Sequence, residues 1–147
     1  LEYAARRVTP LMLYVFPDRP ISASGQVDST TDGRGKFMWT SDNQSTAASF
    51  FLVYNPGGRP NLVDTGAGGA ARHQQIGYFR ADASVETASS PAAANVNLLV
   101  ETVVLNYMAL HGEQGQFASR FPRNGLGSAA LQDSLIAFNP IVSGRIG

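Results

Sequence analysis

SPAAANVNLLVETVVLNYMALHG, residues 90–112, decides how the rest of the chain is read. Ser90 reads as an N-cap, Pro91 occupies the one helical position that tolerates proline, and Gly112 supplies a stop. Between them Val96, Leu99, Val100, Val103, Tyr107 and Leu110 recur at i, i+3/i+4 spacing, which predicts a helix. Leu98, Val104, Leu105 and Met108 place further apolar surface on other sides. A helix that is apolar most of the way round is covered on more than one side. In a chain of 147 residues, the length of one domain, a partner subunit is the expected second cover.

Outward from this helix the chain divides. On the C-terminal side, residues 113–127 read as a Gly, Gln and Arg linker. Residues 128–138 read as a short second helix capped by Ser128 and stopped by Asn139-Pro140, with 141–147 as an extended tail. On the N-terminal side, residues 1–89 read as strands and turns. Strands are expected at 8–16, 36–41, 49–54 and 72–83. Turns are expected at Pro17-Asp18-Arg19-Pro20, at Asp32-Gly33 within a Ser/Thr/Asp/Gly-rich stretch, and at Asn55-Pro56-Gly57-Gly58. Strands followed by helices predict an α+β domain, an antiparallel sheet with two C-terminal helices laid on one face.

Composition narrows the chemistry. With no cysteine, disulfides, thiolate metal sites and a cysteine nucleophile are excluded. Eleven basic and eleven acidic residues balance to zero formal charge, which argues against an isolated, strongly basic nucleic-acid binder. Charged residues make up only 15% of the chain, and Lys36 is the single lysine. Such low charge suits subunits that bury much of their surface against one another. No stretch reads as a membrane span or a targeting segment, so no membrane partner is expected. The only histidines, His73 and His111, have no carboxylate at ligand spacing, so no metal and no cofactor are expected.

Asp64-Thr65-Gly66 is the most specific short motif. It resembles the active-site loop of retroviral-type aspartic proteases, where two symmetry-related carboxylates share a proton. In the 72–80 strand, Arg72, Gln74, Ile76, Tyr78 and Arg80 share one face by alternation. Cations and a stacking tyrosine on a sheet face are groups that hold unpaired RNA.

The order of elements resembles the coat proteins of single-stranded RNA bacteriophages, over roughly residues 36–142. The resemblance rests on the strand from Lys36 to Ser41, on SFFLVY ending at Asn55-Pro56, and on a Gly-rich loop. It continues through Arg72-His73-Gln74, a Ser/Pro-capped helix, and Leu131-Gln132-Asp133-Ser134-Leu135 before Phe138-Asn139-Pro140. It implies a non-enzymatic virion subunit. Two chains would join their sheets, each would lay its helices across the other, and the dimers would close an icosahedral shell. The inner sheet face would contact genomic single-stranded RNA. By position, Lys36, Tyr54, Arg72 and Gln74 would face the RNA, and Val96, Leu99, Val100, Val103, Tyr107 and Leu135 would form the dimer or assembly interface. A different sheet-rich assembly protein (a phage decoration protein or pilus subunit) and a dimeric aspartic protease using Asp64 are the alternatives.

Overall fold

The computed structural model of the chain describes residues 1–16, 21–41, 49–63, 84 and 95–142. Three of its four strands are runs of β-branched, aromatic and other apolar residues between turn signals. β1 (Leu11–Val15) pairs antiparallel with β4 (Phe50–Tyr54), in a register that sets Leu11 opposite Tyr54 and Val15 opposite Phe50. β2 (Ile21–Asp28) pairs antiparallel with β3 (Lys36–Ser41), and the register shifts between Ala23 and Val27, where Gly25 takes a φ of 81°. The architecture is therefore α+β, with two two-stranded sheets among the described residues rather than the single sheet expected.

The β2–β3 turn is organised by Asp28. Its Oδ1 accepts hydrogen bonds from the Thr30 backbone N–H (2.9 Å) and from Thr30 Oγ1 (2.6 Å). The Gly35 N–H returns to the Asp28 carbonyl at 2.8 Å, closing the loop onto Lys36. Residues 21–28, expected as loop, form a strand because Ile21, Ser22 and Ala23, and after the register shift Val27 and Asp28, pair with β3.

The helices depart from expectation in placement more than in kind. α1 (Glu2–Arg7) was not expected. It carries Glu2 in its first turn and Arg6 and Arg7 in its last, charges that suit the helix dipole, and Arg6 pairs with Glu2. It ends on Val8 at a φ of 52°, so the first strand begins at Leu11 and not at Val8. α2 (Val96–Leu110) starts later than the Ser90 cap implied. Asn95 is the N-cap, its side chain accepting from the Leu98 N–H at 3.1 Å. The C-terminus ends as expected, on Gly112 at a φ of 72°. The Gly112 N–H bonds to the Ala109 carbonyl and the Glu113 N–H to the Met108 carbonyl, which makes a Schellman motif. The Leu110 carbonyl is taken by the N–H groups of Ile141 and Val142.

The stretch expected as a linker is folded. It contains a 3-10 turn (Gln114–Gln116) and α3 (Phe117–Arg120), and it sends Phe117 and Leu126 into the interior. α4 (Ala129–Ser134) carries the expected Ser128 cap but is shorter than 128–138, ending before Leu135. The buried cluster comprises Leu105, Met108, Ala109, Phe117, Leu126, Leu135 and Ile136, with Val63, Leu98 and Val104 packed against it. Its residues come almost wholly from α2 and the chain after it. The β region reaches it through residues 61–63. There Leu62 bridges Phe138, the Val63 N–H donates to the Ala137 carbonyl (3.0 Å), and the Asn139 N–H donates to the Asn61 carbonyl (2.9 Å). Phe51 adds an edge contact to Phe138, with ring centroids 6.0 Å apart.

Candidate functional site

α2 presents two stripes of the same spacing. Leu98, Thr102, Leu105 and Ala109 stand at i, i+4, i+7 and i+11, and so do Val96, Val100, Val103 and Tyr107. The two stripes are offset by two residues, about 200° around the helix. The first faces the chain's own core: Leu105 and Ala109 lie in the buried cluster, Leu98 packs against it, and Thr102 is fully buried. The second faces away, with Val96, Val100 and Tyr107 between 41% and 51% exposed and Val103 and Leu99 half-buried.

Polar side chains decide which stripe turns inward. Thr102 Oγ1 donates back to the Leu98 carbonyl at 2.7 Å, so its hydroxyl is satisfied within the helix. Asn106, on the flank of the inward stripe, donates through Nδ2 to the carbonyls of Thr102 (2.9 Å) and Leu135 (3.0 Å). Its Oδ1 accepts from the Ala137 N–H at 2.8 Å. These bonds fix α2 to the segment after α4 in one register, since a buried carboxamide tolerates no slip that leaves it unpaired. The outward stripe has no such groups. At its C-terminal end, Tyr107 and the His111 ring lie edge to face at 4.9 Å. Beside them a groove of about 260 Å³ lies between α2, Leu11 and Met12 of β1, and Ile141.

A second apolar surface lies on the β2–β3 hairpin. Val27, Phe37, Met38 and Trp39 are each between 41% and 51% exposed, so consecutive residues on both faces of β3 remain accessible. A two-stranded hairpin has little stability of its own in water, and its apolar side chains call for a cover. The Asp28 carboxyl at its turn is held below its ordinary value, chiefly by the Thr30 hydroxyl and then by the Thr30 N–H.

Of the four expected RNA-facing residues, two lie among the described residues, and they stand apart. Lys36 is exposed on β3 and Tyr54 half-buried on β4, in separate sheets. Arg72 and Gln74 lie outside the described residues, as do the expected 72–83 strand, His73 and Asp64-Thr65-Gly66. Of the expected interface residues, Val96, Val100, Val103 and Tyr107 form the outward stripe with Leu99 on its flank. Leu135 is placed otherwise, in the core of its own chain, because the chain turns inward at the end of α4. Sequence reasoning missed Asn106 and Thr102 as buried contacts, and the only signal was their i, i+4 spacing beside Leu105 and Ala109. Among the described residues no group of three or more His, Asp or Glu side chains could hold a metal ion, and no helix is long and apolar enough to cross a membrane. The chain matches no protein-family model, no curated protein and no solved structure.

Proposed function

We propose that this chain is a structural subunit that assembles with copies of itself, a coat protein of the RNA-bacteriophage type that encloses single-stranded RNA in a virion. The observation that supports this reading is the uncharged stripe Val96–Val100–Val103–Tyr107, which the chain's own core leaves accessible on a 15-residue helix. A contiguous apolar surface of that kind marks a protein interface. A two-fold pair of such helices would make a self-complementary contact. The exposed Val27, Phe37, Met38 and Trp39 offer a second contact, which a shell requires in addition to the dimer. Low overall charge agrees with a surface largely met by other subunits. In this reading the protein is not an enzyme, and Lys36 together with the arginines supplies the positive charge for RNA.

The test is particle size in solution, followed by electron microscopy and by the ratio of nucleic-acid to protein absorbance before and after nuclease. Closed shells with nuclease-protected RNA are expected. Val100→Asp places a charge in the stripe without touching the core and should leave a folded species that no longer assembles. A wild-type chain that stays monomeric at high concentration ends this reading; filaments without RNA would favour a pilus-like subunit instead.

A further inference from the structure

Asn124 and Gly125 follow one another in the loop between α3 and α4, and every polar atom of the pair that has a part in imide formation is engaged. The Gly125 N–H donates to Glu101 Oε2 on α2 at 2.8 Å. Asn124 Oδ1 accepts from the Leu126 N–H at 3.2 Å and from Gln132 Nε2 at 3.3 Å. Asn124 Nδ2 donates to the Phe121 carbonyl at 2.8 Å. The bond to the Leu126 N–H folds the carboxamide back over the Gly125 peptide. Gly125 carries no side chain to shield that peptide, and a Cβ there would lie 2.5 Å from Leu98 Cδ2, so that side chain would have to shift to admit one.

We propose that Asn124–Gly125 is a self-modification site at which the chain converts its own asparagine through a cyclic imide, with Glu101 as base. The Gly125 nitrogen attacks Asn124 Cγ and passes its proton to the Glu101 carboxylate. The negative charge that develops on Oδ1 is met by the Leu126 and Gln132 N–H groups, an arrangement that stabilises an oxyanion. The N–Cγ bond forms, the Cγ–Nδ2 bond breaks, and Nδ2 leaves as ammonia with the proton returned by Glu101. Solvent water then opens the imide at either carbonyl, giving aspartate or isoaspartate. No oxidation or reduction occurs. The isoaspartyl product lengthens the backbone by one carbon beside Leu126, a fully buried residue. The reaction would thus loosen Leu126 from the core with time. This inference is independent of the assembly reading.

The experiment follows the amide-to-acid mass change at Asn124 by peptide mapping, with isoaspartate scored by an isoaspartyl methyltransferase, in folded protein incubated at neutral pH. A synthetic peptide spanning residues 119–131 is the reference. General bases contribute on the order of a hundredfold or more when well placed. The folded chain should therefore modify about tenfold or more faster than the peptide, and Glu101→Gln, which keeps an acceptor but not a base, should remove that advantage. A folded chain that modifies no faster than the peptide overturns the proposal, whatever the variant does. So does a folded Glu101→Gln protein that modifies at the wild-type rate.

Discussion

Replacing Asn106 by leucine keeps the number and branching of side-chain heavy atoms at the centre of α2 and removes three hydrogen bonds. The Ala137 N–H loses its bond to Oδ1, and the Leu135 and Thr102 carbonyls lose theirs from Nδ2. Asn106 and Ala137 are each 1% exposed, so water does not replace the lost partner at that N–H. Each buried backbone group stripped of its partner costs about 1–3 kcal/mol. Two such groups, at Leu135 and Ala137, give about 4 kcal/mol, because the Thr102 carbonyl belongs to the helix ladder. Leucine returns roughly 0.5 kcal/mol in helix propensity. The net loss is about 3.5 kcal/mol, a large share of the roughly 5–15 kcal/mol that holds a typical domain together. For a chain of this size each kcal/mol shifts Tm by about 2–4 °C, so a fall of about 7–14 °C is expected. Urea unfolding followed by circular dichroism should show the midpoint fall with an unchanged slope, and hydrogen exchange should show the Ala137 amide losing protection. Asn106→Asp keeps the acceptor for Ala137 but turns an oxygen toward the Leu135 carbonyl. Its deficit relative to wild type should shrink as pH falls and the acid regains a proton to donate. An Asn106→Leu protein within about 0.5 kcal/mol of wild type would refute the reasoning, since surface substitutions away from any such network do no more than that.

Val8 ends α1 at a φ of 52°, where a β-branched residue costs about 1–2 kcal/mol; it is highly exposed, so Val8→Gly should raise the urea midpoint by relieving that strain with no packing lost. Gly112→Ala has room beside Pro140 but retains a φ of 72°, so a loss of about 1 kcal/mol in thermal unfolding is expected, and Gly112→Asn should lose less. The Asp28 carboxyl is depressed by the Thr30 hydroxyl. Its contribution to stability is present above the unfolded carboxyl's pKa and is lost as pH falls through the lower folded value. Thr30→Val should move the Asp28 titration, read by NMR, back toward the ordinary carboxylate range; an unmoved titration would show that the hydroxyl is not the cause. Val100→Asp should change monomer stability by no more than about 0.5 kcal/mol while abolishing assembly in sedimentation.

What was legible in the sequence follows local chemistry. Ser128 and Gly112 were readable because a cap and a left-handed stop depend on one residue and its immediate neighbours. β1, β3 and β4 were readable from their apolar composition and their turns. Asn95 was readable in principle: it stands directly before the first periodic residue, Val96, and Asn caps as well as Ser does. α1 was hidden because a six-residue helix has no apolar period to show, and only the Glu2–Arg6 spacing marked it. The 113–127 stretch looked like a linker because its two core residues, Phe117 and Leu126, are nine positions apart and belong to no single element. Lys36 and Tyr54 were assigned one RNA-facing sheet by their place in an order of elements that resembles the phage coats, and that order does not fix which ladder a strand joins.

The inward face of α2 was the hardest feature to read, and its cause bears on function. Periodicity alone favoured Val96, Leu99, Val100, Val103, Tyr107 and Leu110 as the dominant stripe, and gave Thr102 and Asn106 no part in it. In the fold these two mark the buried side. A purely apolar stripe can pack in many registers, whereas a carboxamide that must meet the Leu135 carbonyl and the Ala137 N–H permits one. Asn106 therefore ties α2 to its own chain in one register. The outward stripe, whose one polar side-chain atom is the Tyr107 hydroxyl, carries no such tie and is left for contacts between copies in the proposed assembly. Exchanging the two roles, by moving the asparagine from 106 to the outward stripe, would unpair the Ala137 N–H and bury a lone amide between subunits. The division of α2 into a face tied to its own chain and a face left for copies in the proposed assembly thus rests on where one carboxamide, that of Asn106, stands on the helix.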